Sequence, residues 1–271
     1  MTKNSTSSTD STWTAMVPVD DTALAVTDTG GLGIPVIYLN GHVAAQKCWR
    51  RVIADLGPGF RHITYDMRAR GKSKTSADYS FETNVADVDA VLAARGVERA
   101  LVVGWSYGAF VGAHWASRNP DRTVGAILVE GAQPHDWIDE VDIEGMRKLW
   151  RRLGWLMPLL RSMGLGARMT AEQMADSNIE AGEIARESEL GPVLDNITVP
   201  ARYVNASGAS FGSKGDEQER IRASLDQVVK RNPNITIHAK VPSNHGNILR
   251  KDYHTIADAV REVARHESGQ R

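Results

Sequence analysis

The chain has 271 residues, with 32 lysines and arginines against 33 acidic residues. Its formal charge of -1 supplies no field that would gather nucleic acid or an anionic membrane surface, so a small, weakly charged ligand is expected. An apolar share of 42% suits a soluble globular protein with a sizeable core, and the single cysteine, Cys48, excludes an internal disulfide and fits a reducing compartment.

The first residues are rich in Ser and Thr and hold no apolar stretch fit for a signal-peptide core, so residues 1–14 are expected to form a disordered tail. The run Gly30-Gly31-Leu32-Gly33 precedes a strand pattern rather than following one, which reads as a hairpin-like turn and not a dinucleotide fingerprint. Short aliphatic or β-branched runs bounded by Gly, Pro or Asn follow at Val36–Leu39, His62–Tyr65, Ala100–Val103, Ala126–Val129, Ala201–Val204 and Ile235–Val241, and predict buried strands. Between them, Val85, Val88, Val91 and Leu92 share one helical face, as do Ile256, Val260 and Val263 near the C-terminus. Alternating strands and helices imply a mostly parallel sheet in a three-layer α/β/α sandwich.

One segment breaks the alternation. From Pro134 to Leu194 the pattern is helical, with no strand, and it carries Trp137, Trp150 and Trp155 together with Met146, Met157, Met163, Met169 and Met174. A helical cap over residues 134–194 is expected, inserted into a core formed by 15–133 and 195–271. Its large apolar side chains either contact a substrate or glue the cap to the core. No segment reaches the roughly 18 consecutive apolar residues that span a bilayer. The nearest, Leu153 to Leu165, is broken by Gly154, Pro158, Arg161 and Gly164, so a cytoplasmic protein without a membrane partner is expected.

Leu101-Val102-Val103-Gly104-Trp105-Ser106-Tyr107-Gly108 sets a G-x-S-x-G pentapeptide between a buried strand and an Ala/Gly-rich helical start. That context suits a nucleophile on a sharp strand-to-helix turn, where small flanking residues let strand and helix approach and the helix N-terminus favours an oxyanion. Three other segments accompany it: Leu39-Asn40-Gly41-His42-Val43, Tyr65-Asp66-Met67-Arg68-Ala69-Arg70-Gly71-Lys72-Ser73, and Ser243-Asn244-His245-Gly246 after the last strand. In their order and context these motifs resemble the α/β-hydrolase superfamily, from about Ala23 to the C-terminal helix. The second departs from the family's D-x-R-G-x-G-x-S loop at Ala69, and Asn40 replaces a usual histidine.

A serine hydroxyl needs a neighbouring base, and of the eight histidines only His245 lies in a turn after the last strand, where the resemblance puts it. His62 and His238 fall in strands, His114 on a helix, His135 at the start of the insertion, and His254 and His266 near the C-terminus. The acid usual after the penultimate strand is missing from Val204–Ser210; a minority of the superfamily carries it one strand earlier, where Glu130 stands, with Asp136 and Asp216 as weaker substitutes. The resemblance implies an oxyanion hole from the backbone N–H groups of His42 and Tyr107. Trp105, Trp137, Trp150 and Trp155 are the candidate substrate contacts, while Asp66 and Arg68 are expected to brace their loop. No Cys/His cluster has metal-ligand spacing, and no metal or cofactor is expected.

Three functions fit these residues. The first is acyl transfer to water at Ser106, on an ester, thioester or activated amide of a small apolar or aromatic molecule. The second keeps the fold but uses His245 as base in a cofactor-free dioxygenase or lyase. The third is a non-catalytic small-ligand receptor. Epoxide hydrolysis and dehalogenation are disfavoured because serine, not aspartate, stands at the turn. Oligomeric state leaves no mark on the sequence.

Overall fold

The computed structural model describes residues 12–136, 140–153, 167–208 and 215–269. Eight strands form one sheet among these residues: β1 (Trp13–Val19), β2 (Thr22–Asp28), β3 (Ile34–Leu39), β4 (Phe60–Tyr65), β5 (Ala100–Trp105), β6 (Thr123–Val129), β7 (Ala201–Ala206) and β8 (Ile235–Val241), in the order β1-β2-β4-β3-β5-β6-β7-β8. The strands from β3 onward pair in parallel, whereas β2 runs antiparallel to both β1 and β4. All six strands read from the sequence are present, most of them longer by a few residues.

Two sequence expectations change here. β1 begins at Trp13, inside the expected tail, because Trp13 pairs with Asp28 and its ring lies 3.7 Å under the Arg95 guanidinium. The glycine run at 30–33 joins β2 to β3, which are not neighbours, so it is a crossover and not a hairpin. Asp28 accepts a hydrogen bond from the Gly30 N–H at 2.8 Å, and Gly30 and Gly31 both have positive φ, which suits the tight exit.

Side-chain alternation on the central strands divides the core into layers. Ile37, Leu39 and Val102 face α2 (Phe81–Ala94) and α3 (Tyr107–Arg118), burying Val85, Val88, Val91 and Trp115. Val36, Tyr38, Leu101 and Val103 face the opposite way, toward α1 (Arg50–Leu56) and the C-terminal helix through Val52, Ile256, Val260 and Val263. Between β6 and β7 the described regular elements are helices: α4 (Glu140–Leu153), α5 (Ala171–Ile184) and α6 (Glu187–Asp195). A capping box of Thr170 and Gln173 starts α5. Leu190 and Leu194 of α6 are buried with Ala113, Leu128 and Tyr203, so α6 packs with the sheet. After β7 come α7 (Gly215–Ala223) and α8 (Leu225–Arg231), and after β8 come α9 (Ile248–Lys251) and α10 (Tyr253–Gly269). No helix among the described residues is long and apolar enough to cross a membrane.

The loop after β4 is braced from within. The Asp66 carboxylate accepts from the backbone N–H groups of Gln46 (2.7 Å) and Lys72 (2.9 Å). Gly71 has φ +48, and any Cβ there would strike that carboxylate. Ala69 has φ +60, a left-handed conformation that explains why a glycine is common at this point of the motif. Arg68, 1% exposed, forms ion pairs with Asp87 at 2.8 Å and Asp20 at 2.6 Å, tying the loop to α2 and to the β1–β2 turn. Removing Asp87 would leave Arg68 buried with only the exposed carboxylates of Asp20 and Asp21 as counter-charges. Asp87→Ala should therefore lower unfolding stability by about 3 kcal/mol, read from urea denaturation at unchanged m-value.

Candidate active site

The parallel strands β3 to β8 deliver the loops that follow them to one edge of the sheet, where open α/β sheets collect ligands. At that edge β5 turns into α3 through Ser106, whose backbone sits at φ 56, ψ -123. A non-glycine residue there carries about 1–3 kcal/mol of strain, and its surroundings hold it in place. The Ser106 N–H donates to the Val129 carbonyl at 3.0 Å. A Cβ on Gly104 would strike the Gly108 backbone, one on Gly108 would strike the Leu39 carbonyl, and one on Gly131 would strike the Ser106 carbonyl. The two glycines of the pentapeptide are thus required by close backbone contacts, and Gly131 adds a third that the motif does not contain.

His245 and Ser106, 139 residues apart, meet at this edge: His245 Nε2 lies 3.0 Å from Ser106 Oγ. Burial lowers the His245 pKa from its ordinary 6.5; the charge of Glu130 acts in the opposite sense and that of Arg222 in the same sense. Glu130 follows β6 immediately, is 4% exposed and has φ +45. Its carboxylate is held by the Ala206 N–H at 2.7 Å and by Arg222 at 2.6 Å. Among the described residues, His245 makes its hydrogen bond to Ser106 and none to Glu130, so the two interact through charge. Nothing in the local pattern marks Arg222, which reaches Glu130 across 92 residues. Of the substitute acids, Asp136 is exposed, and the Asp216 side chain lies outside the described residues. His62 bonds to Tyr38 and the Gly57 carbonyl, and His238 pairs with Glu262.

His42 stands in the loop after β3, with its ring 5.1 Å from that of Tyr107. Its Nε2 lies 2.8 Å from Ser177 Oγ and its Nδ1 is 3.4 Å from Asn178 Nδ2, both on α5. Burial, with a smaller contribution from the Arg70 charge, holds its pKa at about 3, so the ring is neutral. Ser177 and Asn178 were not legible as site residues because their partner lies about 135 residues away. No protein acceptor takes the His42 or Tyr107 backbone N–H among the described residues.

The tryptophans fall in different places. The Trp105 ring lies 5.6 Å from that of His245 and against Gly41, where a Cβ would come within 2.8 Å of it. It also lines a cavity of about 290 Å³ with Val43, Cys48, Gly246 and Leu249. Trp150 packs against Ala69, Tyr79, Ala167, Met169 and Met174, joining α4 and α5 to the loop after β4. Trp137 and Trp155 lie outside the described residues.

Comparison with known proteins agrees with this fold. Residues 34–164 match the family model described as alpha/beta hydrolase fold. Among curated proteins, a haloalkane dehalogenase of Mesorhizobium japonicum is 28% identical over 160 residues, which are 58% of this chain and 50% of that protein, so the chain spans half the length of this relative. Among solved structures, an esterase from Exiguobacterium antarcticum aligns with TM-score 0.72 at 18% identity over 92% of this chain and 98% of its own. A thermophilic esterase from Thermogutta terrifontis aligns with TM-score 0.70 at 18% identity, covering 95% of this chain and 99% of its own. At such identities these structures speak to the fold alone. With strand order, the family match over residues 34–164 and the whole-chain structural alignments in accord, the chain has the α/β-hydrolase fold.

Proposed function

We propose that this protein is a serine hydrolase acting on an ester, thioester or activated amide of a small apolar or aromatic molecule. The observation that carries the reading is the 3.0 Å approach of His245 Nε2 to Ser106 Oγ on a strained strand-to-helix turn. In this mechanism neutral His245 takes the Ser106 proton as Oγ attacks the acyl carbon. The oxyanion is met by the N–H groups of His42 and Tyr107, and the imidazolium then protonates the leaving group. Water, deprotonated by His245, releases the acid and restores Ser106. Glu130 stabilises the imidazolium through space, tempered by its pairing with Arg222. The name of the dehalogenase relative points elsewhere, but alkyl-enzyme chemistry calls for a carboxylate nucleophile, and this chain has a hydroxyl at that turn.

On this reading residues 134–194 include the cap, with α4 and α5 over the site and α6 returning the chain to the sheet. The contact of α5 with His42 supports the arrangement. A medium-sized aromatic or aliphatic acyl group should then be preferred; p-nitrophenyl acetate outperforming the butyrate and phenylacetate esters would remove that part of the proposal.

Loss of the nucleophile and of the charges near the base should each leave a kinetic trace. Ser106→Ala should lose roughly 10⁴-fold or more in kcat with unchanged circular dichroism, and a fluorophosphonate probe should label the parent protein at Ser106 only. Absence of labelling would favour His245-only chemistry of the dioxygenase or lyase kind. Because the base acts when neutral and its pKa is lowered, kcat/KM should rise through an inflection below pH 6.5 and stay level above it. Glu130→Gln removes the charge that raises this pKa and Arg222→Met the one that lowers it, so pH profiles should move to lower pH in the first variant and to higher pH in the second. Glu130→Gln should also cost about 10²-fold in kcat.

A further inference from the structure

Two arginines stand two residues apart in the loop after β4, and their surroundings differ. Arg68 closes on Asp87 and Asp20. Arg70, also 1% exposed, makes no ion pair among the described residues. It donates from Nε to the His42 carbonyl and from Nη1 to the Arg68 carbonyl, both at 2.8 Å. These partners are neutral. Burial pushes the Arg70 pKa down only to about 10, so the group stays charged at neutral pH. A buried cation without a counter-charge costs stability, and folded chains either pair such a group or neutralise it.

The groups around Arg70 indicate where its counter-charge would arise. Its direct bond is to His42, and its charge is felt at the His42 ring and at the Tyr107 phenol. These are the two residues whose backbone N–H groups would hold the oxyanion. Glu180 also influences Tyr107, but its carboxylate is engaged by the Phe81 N–H at 2.9 Å. Charge that develops only during reaction is stabilised best by a cation already fixed in a dry site.

We propose that Arg70 is a positioning residue of the oxyanion site, holding the His42 loop by its carbonyl while supplying an unopposed buried charge to the tetrahedral intermediate. This rests on the acyl-enzyme reading above.

The test uses Arg70→Met and Arg70→Lys in the full chain, with kcat expressed per fluorophosphonate-titrated site and phenylboronic acid as the tetrahedral probe. Arg70→Met should lower kcat per titrated site by about tenfold or more, hold KM within about threefold, and weaken boronate inhibition in proportion. Arg70→Lys, which keeps the charge, should recover most of both losses. If Arg70→Met fails to fold, Arg70→Gln, which keeps a donor for the His42 carbonyl but no charge, should show the same deficit relative to Arg70→Lys. A structural role alone would reduce the titrated fraction and the melting temperature. Unchanged kcat per site and unchanged boronate affinity in the charge-free variant would overturn the proposal while leaving the nucleophile in place. Failure of the probe to label the parent protein would instead remove the acyl-enzyme reading, and this inference with it.

Discussion

The backbone conformation of Ser106 is the constraint on which the site depends. Placing an L-residue at φ 56, ψ -123 between a buried strand and a helix is unfavourable by itself. It persists because Leu39, Gly104, Gly108 and Gly131 bring four backbone segments together with no room for a Cβ at any of the three glycines. The same crowding lifts the serine hydroxyl above the carboxyl edge of the sheet and points the start of α3 at it. Strain in the turn and exposure of the hydroxyl are therefore one feature, secured by the close packing of β3, β5 and β6.

Around that turn several charges are arranged in opposed pairs. Arg68 is matched by Asp87 and Asp20, and Glu130 by Arg222. The pairing of Glu130 matters for the base, because a carboxylate that shares its charge with a guanidinium 2.6 Å away has less to offer the imidazole. Burial then dominates and keeps His245 on the neutral side. His42 is held neutral even more firmly, its ring fastened to α5 by Ser177 and Asn178. Arg70, buried directly behind the loop that carries His42, forms no ion pair among the described residues.

Three large apolar residues of the insertion serve packing. Trp150, Met169 and Met174 close a small cluster with Ala69 and Tyr79, so the helices after β6 are anchored to the loop after β4 through buried surface. This couples the position of α5, and with it the hydrogen bonds to His42, to the brace formed by Asp66, Gly71 and Arg68.

Much of the architecture was legible in local pattern. Strand β8 spans the residues its β-branched alternation predicts, the valine face of α2 and the Ile256–Val263 face of α10 are buried as their spacing requires, and the pentapeptide marks its own turn because glycine spacing and strand hydrophobicity are local properties. The turn that holds His245 after the last strand was legible too, while its role as base came from the family resemblance. The tertiary structure alone decided that β2 inserts between β1 and β4, that Trp13 belongs to a strand, that Arg222 claims Glu130, and that Ser177 meets His42. Local sequence records which side chains seek burial and where the chain can turn. Partner choice of the kind that joins Arg222 to Glu130 and Ser177 to His42 has no periodicity to read, because it is set by which strand edges become neighbours when the sheet assembles.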